Sequence, residues 1–198
     1  MRKAIARAMS ASAAVPQFTI EVDADVSALE ARRAAAGDGG TSFADHLTAA
    51  CASALVAHPR LNASWAEDTI VEHDEVNIGI AVALDDGLIA PAIRGADRLT
   101  LAELAAERVR LTAAAQAGTL GAEDVLSATF TISNLGPLGV RRFRALVVPP
   151  QAAILAVGAR TGEGLVSLSL SCDHRVVDGA LAAVFLMSVK DLLERSGL

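Results

Sequence analysis

Apolar residues recur along this chain with two different periods, and these periods predict its secondary structure. Recurrence every three to four positions indicates helices, and alternation with a period of two indicates strands. The helices predicted in this way are Arg2–Ser12, Val26–Ala36, Phe43–Ala57, Leu101–Ala117 and a last helix that runs from after Gly179 to Arg195. The predicted strands are Gln17–Asp23, Thr69–Val71, Val76–Ala83, Leu88–Arg94, Thr129–Ser133, Ala152–Gly158 and Leu165–Cys172. Because strands and helices alternate irregularly, with hairpins among them, we expect an α/β fold with a mixed sheet.

Local signals mark several ends of these elements. Ser42 with Asp45, and Thr100 with Glu103, are spaced as capping pairs in front of two of the helices. Two further stretches predict turns: Gly37-Asp38-Gly39-Gly40 after the second helix, and Asp85-Asp86-Gly87 between two apolar runs. The second of these predicts a hairpin, with a loop that is not the ideal two residues long.

Composition limits the class of protein. At 198 residues the chain is expected to form one domain, residues 1–198, with a core of small aliphatic side chains, since 53% of the residues are hydrophobic and 3% aromatic. The net charge of −6 and the absence of a basic cluster argue against nucleic acid as a partner. No apolar run is long enough to span a membrane. The mean hydropathy of +0.42 suggests apolar surface buried between subunits.

Cysteine and histidine usage bears on compartment and metal binding. Two cysteines are too few for a disulfide framework, and the N-terminus lacks the apolar core of a signal peptide, so a reduced cytoplasmic compartment fits best. The histidines show no metal-ligand spacing with the cysteines, so we expect no metal. The residues concerned are Cys51, Cys172, His46, His58, His73 and His174.

One heptapeptide near the C-terminus, Asp173–Gly179 (DHRVVDG), carries the chief chemical signal. His174 is expected where a strand gives way to a turn, and Asp178 closes that turn just before a helix. A histidine at a strand end with a carboxylate four residues on is suited to be an oriented general base. The alternative is a hydrogen-bonded turn histidine and a helix N-cap. The motif alone does not decide between them.

Several reaction classes lose their main support because their motifs are absent. The chain has no Gly-x-Ser-x-Gly elbow, which argues against an α/β-hydrolase nucleophile. It has neither a Gly-x-x-x-x-Gly-Lys phosphate loop nor a Gly-x-Gly-x-x-Gly fingerprint, which argues against nucleotide hydrolysis and nicotinamide chemistry. One well-placed base and small hydroxyl and amide groups remain. These suit a direct transfer in which the base activates an incoming nucleophile.

Six stretches resemble, in the same order, the catalytic domain of dihydrolipoamide acyltransferases, the core components of 2-oxo acid dehydrogenase complexes. The most specific is DHRVVDG. The other five are RKAIARAMSAS with VPQFT at the start, PRLNAS at Pro59–Ser64, NIGIAV with GLIAPAIR between Asn77 and Arg94, FTISNLG at Phe130–Gly136 and PPQAAILAVG at Pro149–Gly158. The resemblance covers essentially the whole chain.

The resemblance implies a fold like that of chloramphenicol acetyltransferase, a mixed sheet flanked by helices, assembled as a homotrimer that can build a higher-order particle. It implies active sites at subunit interfaces, joined to solvent by a channel. Coenzyme A enters one end of this channel, and a lipoyl group carried on a separate domain or chain enters the other. The implied partners are that lipoyl domain and the other components of the dehydrogenase complex.

The same resemblance implies a mechanism. Neutral His174 takes the thiol proton of coenzyme A, and the thiolate attacks the thioester carbonyl of S-acyldihydrolipoyl. Ser133 matches the serine of the family that donates a hydrogen bond to the oxyanion, and Asp178 orients the imidazole or its loop. From spacing alone, Ser133 could equally be a strand-end hydroxyl that bonds its own turn.

By alignment, the family's contacts with coenzyme A fall on Arg33, Ser42, Ser133, Asn134 and Gly158. An arginine suits nucleotide phosphates, although a surface arginine and a helix-capping serine are equally common structural roles. Two departures put the affinity for coenzyme A in question: Ala83 stands where many members carry aspartate, and the stretch at 159–164 is shorter than the usual hairpin. The chain starts directly at the catalytic domain, without a lipoyl or peripheral-subunit-binding domain. It is therefore expected to be an excised core or a free-standing paralogue.

Three functions remain open on the sequence. The first is lipoyl-dependent acyl transfer. The second is acyl transfer from acyl-coenzyme A to a soluble small molecule. The third is an inactive scaffold that only builds an oligomeric core.

Overall fold

The computed structural model describes residues 2–36, 40–84 and 87–195. The helices in this part of the chain are α1 (Arg2–Ala13), α2 (Ser27–Ala35), α3 (Phe43–Ala57), α4 (Leu101–Ala117), α5 (Ala122–Leu126) and α6 (Gly179–Arg195). The strands are β1 (Gln17–Asp25), β2 (Ala63–Ala66), β3 (Thr69–Glu72), β4 (Ile78–Ile80), β5 (Val82–Leu84), β6 (Gly87–Ile89), β7 (Ala92–Ile93), β8 (Phe130–Asn134), β9 (Ala153–Val157) and β10 (Leu165–Asp173).

A mixed sheet of six strands forms the centre of the fold, in the order β1-β10-β9-β8-β4-β7. Strands β4, β8 and β9 run parallel to one another, while β10, β1 and β7 are antiparallel to their neighbours. All five residues of β9 are buried, as expected for a continuous apolar strand in the middle of a sheet. The predicted α/β mixed sheet is therefore confirmed.

Helices α3 and α6 pack together, and α6 also covers β1. The core is built mainly from Ala, Val, Leu and Ile, with Phe130 and Phe185 in edge contact at a centroid distance of 5.7 Å. No helix in the described residues is both long enough and apolar enough to cross a membrane.

The helix boundaries agree closely with the sequence patterns, because the capping side chains form the predicted bonds. The Thr100 backbone N–H donates to Glu103 Oε2 at 2.8 Å, and the Glu103 N–H donates back to Thr100 Oγ1 at 3.3 Å. Helix α4 accordingly begins at Leu101 and ends at Ala117, as predicted.

The two long strands predicted over Val76–Ala83 and Leu88–Arg94 were wrong, because each is divided between two sheets. The Ala81 backbone N–H bonds Ile132 O at 3.0 Å and is the last bond from β4 to β8 in the central sheet, whereas the next strand, β5, pairs with β6 in a separate sheet. Pro91 divides the return strand, since proline has no N–H for a ladder. Leu84 faces Gly87, so the connection is two residues long after all. Its residues, 85 and 86, and residues 37–39 of the predicted glycine loop lie outside the described part.

Strand β3 was predicted, at Thr69–Val71, but the sequence patterns missed its hairpin partner β2 and the short helix α5. The hairpin turns through Glu67 and Asp68, whose φ angles are 50° and 58°. Positive φ at both positions suits a two-residue hairpin but is usually signalled by asparagine or glycine, so this turn had no recognisable signature.

Candidate active site

His174 lies at the first position after β10, at a strand end as predicted. Its backbone N–H donates to Pro16 O at 2.8 Å, and its ring lies 4.7 Å from the ring of Phe18. The residue is solvent-exposed, and no side-chain hydrogen bond holds its imidazole within the described chain. The imidazole is therefore anchored through its backbone and one ring face, and its nitrogens are open to a ligand or to another copy.

Asp178 caps helix α6. Its Oδ1 accepts the Leu181 backbone N–H at 2.9 Å, and its carbonyl accepts the N–H of Ala182 at 3.0 Å. The N-cap alternative thus describes its contacts in this structure. Since the cap fixes where the turn ends and the helix begins, Asp178 fixes the loop that carries His174, and its influence on the imidazole stays a prediction.

Ser133 and Asn134 end strand β8. Asn134 Oδ1 accepts the Gly136 backbone N–H at 2.9 Å, which closes the turn that follows. Ser133 is half-buried, and its hydroxyl bonds no partner among the described residues. The structural alternative for Ser133, a hydroxyl that bonds its own turn, is therefore not what the structure shows.

The strand register places Ser133 and His174 at opposite ends of the sheet. Ser133 lies opposite Ala156 of β9, and Ala156 lies opposite Ser169 of β10. Asp173 is four residues further along β10, which is roughly 13 Å at a rise of about 3.3 Å per residue, and His174 lies beyond it. The two side chains of a single chain therefore cannot act on the same reacting group.

Four of the residues assigned to coenzyme A line one cavity of about 470 Å³, at the end of the sheet where Ser133 lies. They come from α2, the N-cap of α3, the last position of β8 and the position after β9: Arg33, Ser42, Asn134 and Gly158. Ser133 itself is not part of the lining. The volume lies within the usual range of small-molecule sites.

Two of these residues, Arg33 and Ser42, also make contacts that hold neighbouring parts of the fold together. Arg33 pairs with Glu30 at 2.8 Å and donates to the carbonyl of Thr41 at 3.0 Å. The Ser42 hydroxyl donates to Asp45 Oδ2 at 2.8 Å within the capping box of α3. The capping role of Ser42 is therefore realised, whereas Arg33, whose side chain is 18% exposed, is not a surface arginine. Both residues line the cavity wall.

The glycines of the cavity wall are required by backbone packing. A Cβ on Gly158 would overlap the carbonyl group of Arg141, at 2.7 Å from its carbon. A Cβ on Gly136 would lie 2.7 Å from Gly158 O. Larger residues at either position would displace the segments that shape the cavity.

Comparison with protein families identifies the family of this chain. Residues 1–198 match the family model described as 2-oxoacid dehydrogenases acyltransferase (catalytic domain). The chain belongs to this acyltransferase family. It is 36% identical over 217 residues to the dihydrolipoyllysine-residue acetyltransferase component of the pyruvate dehydrogenase complex of Rickettsia felis, covering 100% of this chain and 53% of that protein. The chain thus spans about half the length of the curated relatives it matches.

Solved structures of acyltransferase family members superpose closely on the fold. A probable dihydrolipoamide acetyltransferase from Listeria monocytogenes has a TM-score of 0.93 at 34% identity, covering 98% of this chain and 91% of that one. The dihydrolipoamide acetyltransferase of Azotobacter vinelandii, studied for the catalytic roles of a serine, a histidine and an asparagine, has a TM-score of 0.90 at 36% identity, with 97% and 87% covered. Chloramphenicol acetyltransferase shares the fold alone, with a TM-score of 0.63 at 15% identity and 94% of both chains covered. The expected fold class is confirmed.

The cavity wall also contains three charged residues that no sequence pattern had indicated: Glu30, Arg108 and Arg160. Arg108 lies on α4, far along the chain from the other lining residues, and no spacing pattern links it to them. Arg160 lies in the shortened 159–164 stretch, so this departure from the family pattern brings a cation to the cavity. Ala83 is exposed on β5 and is not part of the lining.

Hydrogen bonding determines the charge state of Asp45, which binds two residues of the cavity wall, Ser42 and Arg108. Burial by itself would raise the pKa of Asp45, but hydrogen bonds from Arg108 and Ser42 outweigh it and lower that pKa below its usual range. Asp45 is thus ionised and paired with Arg108. The two further arginines, Arg33 and Arg160, share Glu30, at 2.8 and 3.6 Å, and the wall keeps a net positive charge.

Proposed function

We propose that this chain is the catalytic core of an acyltransferase that moves an acyl group between an S-acyldihydrolipoyl thioester and coenzyme A in a 2-oxo acid dehydrogenase complex. The observation that carries the proposal is the separation of the two candidate catalytic groups, His174 and Ser133, within one chain. The exposed imidazole of His174 lies at one end of the sheet. The cationic cavity lies at the other end, together with the Ser133 hydroxyl, which bonds no partner among the described residues. Two copies that bring these ends together would complete one active site, with residues 1–198 acting as a single catalytic domain.

The proposed chemistry needs no covalent enzyme intermediate. The His174 imidazole takes the proton of the coenzyme A thiol while the sulfur attacks the thioester carbonyl. A new carbon–sulfur bond forms, and the Ser133 hydroxyl of the other copy donates to the oxyanion. When the oxyanion collapses, the bond to the dihydrolipoyl sulfur breaks and the imidazolium returns its proton to that sulfur. A general base typically contributes about 10²–10⁴-fold and an oxyanion donor about 10²–10³-fold.

The Azotobacter enzyme supports this assignment of roles. The asparagine studied there lies four positions after the histidine, the same spacing that separates Asp178 from His174. We assign to Asp178 the task of holding the histidine loop through its helix cap. Its carboxylate then carries no proton in the reaction.

The cavity suits the anionic half of coenzyme A. Guanidinium groups bind phosphate oxygens through charge-assisted hydrogen bonds, and Arg33, Arg108 and Arg160 all line the wall. Since Ser42 already donates its proton to Asp45, it would meet coenzyme A as an acceptor. Asn134 and Gly158 line the part of the cavity next to Ser133, toward which the thiol end would extend.

The proposal requires assembly, and we infer a homotrimer that can build a larger particle, placed in the cytoplasm. Leu138, in the turn after β8, is 74% exposed, so the end of the sheet near Ser133 leaves a large apolar side chain in water when the chain is alone. The partners of the assembled core would be a lipoyl domain on a separate domain or chain, and the other components of the complex.

Purified protein tests the function directly. We expect transfer of an acyl group between coenzyme A and dihydrolipoamide, followed through the appearance or loss of free thiol, and a loss of at least about 10²-fold in kcat for His174→Ala. His58→Asn, which changes a histidine that bonds Ser188 on α6, serves as the matched control. Transfer to small alcohols or amines in place of dihydrolipoamide would favour the small-molecule transferase, and no transfer at all would favour the scaffold.

A further inference from the structure

The β2–β3 hairpin places Trp65 against the residue that follows the proposed base. The guanidinium carbon of Arg175 lies 5.5 Å from the centroid of the Trp65 ring, within the range of a cation–π contact. Trp65 is the only tryptophan in the chain, and it is half-buried. The hairpin thereby contacts the turn that carries His174.

Arg175 also binds Asp173, the residue that precedes His174 in the chain. Its Nε donates to Asp173 Oδ1 at 2.9 Å and its Nη2 donates to Oδ2 at 2.6 Å, a bidentate pair. The Arg175 backbone N–H also donates to Asp173 Oδ1, at 3.0 Å. His174 is therefore held between two residues that are fastened to each other.

Asp173 is fixed in turn by the sheet. It is buried, its N–H donates to Ala152 O at 2.8 Å, and its carbonyl accepts the N–H groups of Val176 and Val177, both at 3.0 Å. Displacement of the Arg175 guanidinium would free the Asp173 carboxylate to rotate, and with it the turn from 173 to 177. The base would then lose its fixed direction.

The hairpin is built to hold its position. The tight turn at Glu67 and Asp68 closes it at one end, and a hydrogen bond of 2.7 Å between Ser64 Oγ and His73 Nε2 closes it at the other. The charge of Asp68 also acts on Arg175: hydrogen bonding to Asp173 first, and then the charges of Asp173 and Asp68, raise the pKa of the guanidinium.

We propose that Trp65 is a positioning residue for His174, acting through the guanidinium of Arg175 and the carboxylate of Asp173. This inference rests on the proposed acyl transfer. Trp65 would contribute nothing to the binding of either thiol. Its removal would lower kcat because the imidazole no longer points along the line of proton transfer.

The test uses residues 1–198 and four single variants. Trp65→Leu removes the aromatic face but keeps apolar volume, Trp65→Phe keeps the face, and Arg175→Lys keeps the charge but loses the bidentate fork. Val71→Ala, on the same hairpin and opposite Ser64, is the matched control. We expect Trp65→Leu and Arg175→Lys each to lower kcat by about tenfold, with the KM for both thiols changed less than about twofold. Trp65→Phe and Val71→Ala should stay close to wild type.

The double variant Trp65→Leu/Arg175→Lys separates positioning from general destabilisation. If both residues act through one chain of contacts, the double variant should be no slower than Arg175→Lys alone. Wild-type kcat in Trp65→Leu, an effect on KM alone, or losses that multiply in the double variant would each overturn the inference and leave the acyltransferase proposal intact. An inactive wild type would instead overturn the proposed function.

Discussion

The guanidinium of Arg108 donates to both oxygens of the Asp45 carboxylate, at 2.6 Å from Nε and 3.2 Å from Nη2. The Asp45 side chain is 1% exposed and that of Arg108 is 24% exposed. This pair joins the first turn of α3 to the middle of α4, at the wall of the cavity. It therefore bears both on stability and on the shape of the proposed coenzyme A site.

Removal of Arg108 should be costly for stability. In Arg108→Met the carboxylate of Asp45 stays buried and keeps only its bonds from Ser42, so we expect the free energy of unfolding to fall by about 2–3 kcal/mol. This is below the full cost of breaking a buried pair because Arg108 is partly exposed. Urea denaturation at neutral pH measures the change.

Arg110→Met is the control for that experiment. Arg110 lies on the same helix and pairs with Glu107 and Asp124, but all three side chains are solvent-accessible. Its loss should cost less than about 1 kcal/mol. An equal fall in the free energy of unfolding in Arg108→Met and Arg110→Met would show that the burial of Asp45 does not determine the cost of removing its partner.

The same carboxylate predicts a pH dependence of stability. The pKa of Asp45 is lower in the folded chain than its ordinary value of 3.8, so the folded state binds its proton less tightly than the unfolded state. The stabilisation is complete above that ordinary value and is lost as the pH falls through the lowered pKa. Wild type should therefore lose stability more steeply than Asp45→Asn below about pH 3.8 in urea denaturation. Parallel curves for the two proteins would contradict this.

The elements that could be predicted from sequence are those whose signals are local. The capping residues Thr100 and Glu103 fix the start of α4, and the apolar run of β9 identifies a buried central strand. The broken strands at Ala81 and Pro91 could not be predicted in the same way. The Ala81 N–H bonds a carbonyl of β8, which lies some fifty residues away in sequence.

The residues of the candidate site likewise differ in how far they could be predicted from the sequence. Motif resemblance identified Arg33, Ser42, Asn134 and Gly158, which four separate elements bring to one cavity. It could not identify Arg108, because a single arginine on an amphipathic helix is ordinarily a solvated side chain. Nor did it show that Ser133 and His174 lie at opposite ends of the sheet, since that follows from the strand order and the pairing register.

Arg160 should contribute to the binding of coenzyme A through its charge. It is about half exposed in the cavity wall, where a phosphate could replace its long contact of 3.6 Å with Glu30. We expect Arg160→Ala to raise the KM for coenzyme A about fivefold, with kcat unchanged, since an exposed charge-assisted contact is worth about 1 kcal/mol.

Pantetheine provides the control for Arg160, because it carries the same thiol but lacks the nucleotide and its phosphates. Its KM should be the same in wild type and in Arg160→Ala. Arg195→Ala, which removes an exposed arginine near the end of α6, should leave both values unchanged. An equal rise in KM for pantetheine would mean that Arg160 shapes the cavity and does not bind phosphate.

Complementation between two inactive variants tests whether the active site is shared between chains. A His174→Ala chain retains Ser133, and a Ser133→Ala chain retains His174, so each alone should lose at least about 10²-fold in kcat. If the base comes from one copy and the hydroxyl from its neighbour, co-folding the two in equal amounts should restore roughly a quarter of wild-type activity, since that fraction of sites in a randomly mixed ring receives both groups. If both groups served the same site within one chain, the mixture would be no more active than its components. The refolded double variant, His174→Ala with Ser133→Ala, mixed with an inactive single variant, should restore nothing, because in that mixture one of the two groups is missing from every chain.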